Sequence, residues 1–400
     1  MKSYEEALQI IKDEISTLQL QTEVVRIEES LNRILSEDII SDVDLPPFDN
    51  SAMDGYAVKY SDRRFWNVIG EVKAGNFKHV NLGESDAVLI TTGGKIPSDA
   101  DTVIPLEDII ENDNQIWLND NAVIKKGMNI RLRGNDLEKG KVAINRFAKI
   151  TPKSAAVLAS CGRAKIKMFS KLRIGILVTG DELVPIDEFP TEDKIRISNS
   201  YGLSFAVNEL HHTPVNYGMA KDEADVIKKQ LQKMISDDNE IIIITGSVSV
   251  GKYDLIKDIF KEIGVEIKFW KANIKPGKPI VFGVCSSNGK KKIVFGLPGN
   301  PVSCLVNFHI FIKPAINYLL HQTGIDYFFA ELEDDIMKND SKRHFSRGVM
   351  FYEGEKLKVK SLSSQSSGSL VEMSRANCLI EIPENTINPQ KGSKLKCIKI

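Results

Sequence analysis

Cysteine is scarce here. The 400 residues hold five, Cys161, Cys285, Cys304, Cys378 and Cys397, widely spaced and without a CxxC pair. An odd set with no metal-ligand spacing argues against a disulfide framework and against structural zinc, so free thiols in a reducing cytoplasm are expected. HExxH is absent, and the one adjacent histidine pair, His211-His212, falls where a helix should end, a place for capping or solvation rather than ligation. No uninterrupted apolar run reaches about 18 residues, so no membrane span is expected. The acidic, amphipathic start MKSYEEALQI fits neither a secretory nor a transit peptide. A formal net charge of -1 gives no global field for nucleic acid or an anionic membrane, so any anion site must be local. Repeats and long low-complexity tracts are also missing; the serine cluster at 361–369 comes nearest.

What is present is enough apolar residue, 42%, for several cores, and length alone suggests two to four domains. Ser3 followed by Glu6 reads as a capping box, with Ala7, Ile10, Ile11 and Ile15 along one helical face. Pro46-Pro47 closes that texture. Residues from about 50 to 140 read as β-rich, with a hairpin at 107–118 turning through Asn112-Asp113-Asn114. A helix returns with Thr151 as N-cap, Pro152 at its first position and Gly162 past its end, which suggests that it shares one body with the N-terminal helix. From about 172 to 322, strands alternate with helices, and 240–245 contains four consecutive isoleucines. That rhythm predicts a mostly parallel sheet covered on both faces, with a small β domain after it.

In such a sheet ligands bind beyond the carboxyl ends of the strands. Three loops qualify: TGDEL (179–183), TGSVSVGKYD (245–254) and LPGNPVS (297–303). LPGNPVS, with Pro298, Gly299 and Asn300, suits an anion at a helix start, or simply a helix capped by Asn300. Gly246 and Gly251 free the backbone of the second loop, and Ser247 and Ser249 add hydroxyls. Tyr253 departs from the P-loop pattern. Asp254 would favour the following helix dipole, Asp222 would be an N-cap, and Asp181-Glu182 would hold Mg²⁺ or cap a turn. In KFWKANIKPGKPIVFG (268–283), Lys271, Lys275 and Lys278 stand within eight positions on a turn stiffened by Pro276 and Pro279, which points to an oxyanion. In NIRLRGND (129–136) a strand would put Arg131 and Arg133 on one face as an anion fork. FDNSAMDGYAV (48–58) packs Asp49, Asn50, Ser51 and Asp54 between apolar residues.

These segments, with TTGGKIPSDADTVIPLE (91–107) and KPGKP (275–279), occur in an order that resembles the molybdopterin molybdenumtransferases, the MoeA and gephyrin E-domain family, over nearly the whole chain. The resemblance implies an elongated chain of four subdomains. These are a discontinuous helical one at 1–48 plus 140–171, an inserted β-rich one at 49–139, a three-layer α/β molybdopterin-binding one at 172–324 and a β-barrel-like one at 325–400. It implies a cytoplasmic homodimer whose cleft is completed by the partner's β-rich subdomain. The implied reaction converts adenylylated molybdopterin and molybdate to molybdenum cofactor and AMP with Mg²⁺. Handover from an upstream molybdopterin adenylyltransferase is a further implied contact. Carried over by motif, Asp54, Glu182, Asp222, Asp254, Lys271 and Lys275 would be catalytic, with three of these carboxylates, Glu182, Asp222 and Asp254, on the metal. Thr92, Arg131, Asp136 and Ser367 would join the loop residues named above in binding substrate. Ser247 stands where the family usually has glycine, so the loop is expected to sit differently. The alternatives are molybdopterin adenylyltransferase activity, since that enzyme uses a related module, and a non-enzymatic pterin carrier or scaffold.

Overall fold

Helix α1 (Tyr4–Ile15) starts where the sequence places it: Ser3 accepts the Glu6 N–H, the Glu6 carboxylate accepts the Ser3 N–H, and Tyr4, Ala7, Ile11 and Ile15 are buried. Helix α2 (Pro152–Ser160) begins at Thr151 in the same way and ends before Gly162, at φ 69°. In this computed structural model the described residues are 1–76, 79–247 and 253–400, with only backbone described at 253–255. They form two units, residues 23–168 and residues 1–22 with 169–400. Helix α1 belongs with the second unit, and α2 with the first. The expected single body of two helices is therefore not observed. Glu14 of α1 pairs with Lys268 and Lys291, and Tyr4 packs on Phe311 and Phe345, contacts available only with the larger unit.

The unit of residues 23–168 holds a six-stranded sheet built from β1 (Gly55–Val58), β2 (Phe65–Val72), β3 (Asp86–Ile90), β4 (Thr102–Pro105), β5 (Ile109–Asn112) and β6 (Gln115–Leu118), in the order β4-β1-β3-β2-β6-β5. The predicted hairpin is there as β5–β6, closed by Asn112 opposite Gln115, with Asp113 at φ 49°. Trp66, Tyr56 and Ile104 lie in one core of this sheet, and Val72, Val88 and Val103 in another.

The larger unit carries β7 (Arg173–Thr179), β8 (Thr213–Ala220), β9 (Ile241–Gly246), β10 (Glu266–Trp270), β11 (Val281–Ser287) and β12 (Lys290–Pro298), in the order β8-β7-β9-β12-β11-β10. The first four are parallel; β11 pairs antiparallel with both β12 and β10. The sheet is therefore mixed at one edge. The cause is a tight hairpin at Asn288-Gly289, both at positive φ, joining β11 to β12. The four isoleucines of β9 are fully buried between the layers, as a central parallel strand requires. Helices α3 (Asn199–Glu209), α4 (Ala224–Ser236) and α5 (Tyr253–Glu262) supply crossovers. A long helix runs as α6 (Pro301–Asn307), a π-helical turn at Phe308–Ile312, and α7 (Lys313–Leu319). Pro301–Leu319 is long and apolar enough to cross a membrane although its apolar residues are interrupted, yet 72% of its most apolar stretch is buried inside the protein, the state of a core helix.

After it come β13 (Tyr327–Leu332), β14 (Arg343–Glu353), β15 (Lys356–Ser361), β16 (Cys378–Ile382) and β17 (Lys394–Lys399). Their order is β14-β15-β13-β17-β16, and β16 pairs back onto β14, so the sheet closes on itself as a small barrel. The two-residue strand Ile274–Lys275 adds to β14 in parallel. The chain is thus a multi-domain α/β protein with β-rich domains and a barrel-like C-terminal domain.

Candidate active site

Neighbouring parallel strands end together: Val178 is level with Thr245, Thr179 with Ala220, and Gly246 with Pro298. The loops leaving β7, β8, β9 and β12 therefore share one edge of the sheet. Gly246, at φ 118°, packs against the Thr179 carbonyl and is backed by Gly299, so the strand ends approach closely. Asn199, at the start of α3, ties the edge together by donating to Thr245 Oγ1 at 3.3 Å and to the Gly299 carbonyl at 2.8 Å. Sequence reasoning passed over Asn199; the signal available was a polar SNS triplet opening a helix after an apolar residue.

Asp222 is not an N-cap. Helix α4 starts at Ala224 with Glu223 at the cap position. Asp222 instead turns to the residue just past β9: its Oδ1 accepts the Ser247 hydroxyl at 2.6 Å, and its own N–H donates to Asp181 Oδ1 at 3.1 Å. A hydroxyl within reach just past β9 outcompetes the local cap. Ser247 is fully buried and absent from the positive-φ residues; its Oγ also lies 2.5 Å from Thr179 Oγ1. The Glu182 carboxylate folds over Gly180, where a Cβ would lie 2.7 Å from Oε2. A cleft of about 570 Å³ opens beside these groups, lined by Asp181, Lys194, Lys221 and Glu223 among others. Ser249, Gly251 and the Asp254 side chain lie outside the described residues.

Helix α6 anchors three further motifs. Asn300 occupies its N-cap position without a side-chain cap bond. Val302 N–H donates to the Ser367 carbonyl at 3.3 Å, which brings the SSGSL loop to the helix start. Two turns on, Asn307 Nδ2 donates to the Gly277 carbonyl at 3.1 Å and so holds the KPGKP turn. The three lysines leave this turn differently. Lys271 lays its Nζ 3.6 Å from the centre of the Trp270 ring. Lys275, exposed, reaches Asp340 Oδ2 at 3.5 Å. Lys278 is half-buried, and its carbonyl accepts the Ala272 N–H. His344 and the backbone N–H of Lys342 bond Asp340 and hold its carboxyl down at about 2, though burial opposes them.

The unit of residues 23–168 assembles three motifs of its own. Asp54 Oδ1 accepts both the Thr92 N–H, at 2.6 Å, and the Thr92 hydroxyl, at 3.0 Å; these bonds, the backbone one first, hold the Asp54 carboxyl below its ordinary range. Ser51 N–H donates to the Gly94 carbonyl, and Arg131 pairs with Asn50 across a two-residue ladder. The expected arginine fork is not formed. The strand stops at Arg131, which reaches the Ala52 carbonyl, whereas Arg133 enters the turn and pairs with Asp44 at 2.5 Å. Asp136 is exposed, its N–H on the Leu45 carbonyl.

Models of the MoeA N-terminal region (domain I and II), a probable molybdopterin-binding domain and the MoeA C-terminal region (domain IV) match residues 2–162, 175–318 and 330–400. A Haemophilus influenzae molybdopterin molybdenumtransferase is 35% identical over 386 residues, spanning 93% of this chain and 92% of its own. One from Bacillus subtilis is 32% identical over 95% of this chain and 90% of its own. The chain belongs to the molybdopterin molybdenumtransferase family. The crystal structure of a Pyrococcus horikoshii molybdopterin biosynthesis MoeA protein superposes over the full length of both chains, with TM-score 0.84 at 29% identity. All four loops at the carboxyl edge lie in or beside the molybdopterin-binding match of this family.

Proposed function

We propose that this chain inserts molybdenum from molybdate into adenylylated molybdopterin, with cleavage of the phosphoanhydride and release of AMP. The observation that carries this reading is the meeting of four polar loops, three of them with glycine, at one parallel-sheet edge, in a chain whose full-length relatives are molybdenumtransferases. The electrostatic problem is the approach of a dianion to a phosphorylated substrate. Two like unit charges about 4 Å apart repel by roughly 4 kcal/mol at an effective dielectric near 20. Lys271, Lys275 and Lys278 offset this repulsion, and the backbone around Gly246 and Gly299 receives phosphate or pterin oxygens. Substrate contacts by Thr92, Arg131, Asp136, Pro298, Asn300 and Ser367 belong to the same proposal.

The carboxylates Glu182 and Asp222, with Asp254 carried over by motif alone, would hold a Mg²⁺ ion carried on the phosphates. Among the described residues no three His, Cys, Asp or Glu side chains form a complete cation cage, but Mg²⁺ needs only one or two carboxylates beside phosphate oxygens and water. Bound there, the ion would neutralise charge on the scissile phosphoanhydride. The chain's own carboxylates would orient the attacking water, while the lysines and the loop backbone hold the phosphates in register.

The functional unit is proposed to be a cytoplasmic homodimer, in which Asp54, Thr92, Arg131 and Asp136 act in the partner's site, supplied by an upstream adenylyltransferase. The test is direct: purified protein with adenylylated molybdopterin, molybdate and Mg²⁺ releases AMP and forms active cofactor. Absence of molybdate-dependent AMP release overturns the reading.

A further inference from the structure

The Ser247 hydroxyl is buried and placed between two polar groups, one at the end of β7 and one on the loop after β8. Asp222 Oδ1 lies 2.6 Å away on one side and Thr179 Oγ1 2.5 Å on the other. Proton counting sets the direction of the chain. An ionised carboxylate only accepts, so Ser247 gives its single hydroxyl proton to Asp222, and the Ser247 oxygen accepts from Thr179. Thr179 itself is buried at the end of β7, paired in the ladder opposite Ala220 of β8. Asp222, by contrast, sits on the loop between β8 and α4 and reaches the edge through this bond and its N–H to Asp181.

From this geometry we infer that Ser247 is a positioning residue: with Thr179 behind it, its hydroxyl fixes the Asp222 carboxylate at the carboxyl edge of the sheet. Its hydroxyl is buried and taken up by Asp222 and Thr179, so its effect on turnover passes through Asp222. The inference rests on the proposed reaction and on Asp222 acting in it. Hydrogen bonds to charged groups are among the stronger ones in proteins, and one that orients a reacting carboxylate is felt mainly in the rate of the chemical step.

A double-mutant cycle on the full-length protein tests it, with kcat from AMP release, direct binding of adenylylated molybdopterin by calorimetry, and the melting temperature. Ser247→Ala is expected to lower kcat roughly tenfold, with calorimetric affinity within about twofold and melting within a few degrees. Ser247→Gly, which removes the hydroxyl without bulk, does the same. Thr179→Val reproduces part of the loss, and Thr179→Ser, which keeps the hydroxyl, recovers it. In an Asp222→Ala background, Ser247→Ala adds no further loss. Multiplying losses in the double variant, a fall in binding matching the fall in kcat, or full activity of both Ser247 variants overturns the assignment. If Ser247→Ala fails to fold, the Thr179 pair decides by the same criterion. A wild-type chain without AMP release overturns the proposed reaction and this role together. Wild-type turnover with additive variants overturns only the role of Ser247.

Discussion

A Cβ on Gly246 would lie 1.9 Å from the carbonyl oxygen of Thr179, and the Gly246 backbone is at φ 118°. Neither backbone can yield without parting β7 from β9, whose ladder runs to Val178 and Thr245. Gly246→Ala is therefore expected to cost at least about 1–3 kcal/mol and to lower AMP release by displacing the loop edge. Urea unfolding and steady-state assays check both. A variant with wild-type stability would show that the approach is not a constraint in solution.

Lys275 and Asp54 are both exposed, and neither lies in a hydrophobic core. Lys275→Ala and Asp54→Ala should each fold and dimerise yet lose turnover. If one copy's Lys275 and its partner's Asp54 serve the same site, mixing the two inactive chains with subunit exchange restores about a quarter of wild-type activity, because random pairing makes half the dimers hybrid with one intact site of two. An inactive mixture in which hybrids are demonstrably present would place both residues in one copy's site.

His309 sits in the π-helical turn, 9% exposed, and its Nδ1 makes no hydrogen bond. Burial, helped by Lys313, holds its pKa down at about 3, from 6.5. Above pH 6.5 both folded and unfolded states leave it neutral, so it adds no pH dependence. Below 6.5 the unfolded chain takes up a proton that the folded chain refuses, and stability falls by roughly 1.4 kcal/mol per pH unit toward the folded value. His309→Leu should remove this component, shrinking the loss of stability between pH 7 and pH 5 by about 2 kcal/mol. Equal losses in the two proteins would contradict a neutral buried imidazole.

Arg347 is buried, and its guanidinium donates to the carbonyls of Ser366, at 3.0 Å, and Ser364, at 2.7 Å, while Gln365 bonds its backbone on both sides. This is what shapes the loop carrying Ser367 to the start of α6. Arg347→Met leaves two carbonyls without their donor, at about 1–3 kcal/mol each. The expected results are a lower melting temperature, faster amide exchange at 361–369, and a raised KM for the pterin substrate. Unchanged exchange in that segment would mean the loop is held by other bonds.

Much of the local architecture was legible because it is decided within a few residues. Ser3 with Glu6, Thr151 with Pro152, and the Asp113 turn of β5–β6 each satisfy their own backbone groups from adjacent chain. The hairpin at Asn288-Gly289 is equally local, an Asn-Gly pair between two apolar runs, and it makes one edge of the mostly parallel sheet antiparallel. Asp222 shows the opposite case. Its position before a helix favours a cap, and the arrival of Ser247 from just past β9 redirects it.

The sequence by itself determined the periodic helices and strands, the order of the motifs and, through that order, the family, because hydrophobic period and turn chemistry are properties of short stretches. Tertiary structure alone decided that α1 joins the larger unit, that β16 closes onto β14, that Arg131 and Arg133 part company, and that Thr179, Ser247 and Asp222 form one hydrogen-bonded chain. Each of those outcomes depends on groups far apart in sequence competing for the same partner, and that competition is settled only when the chain has packed.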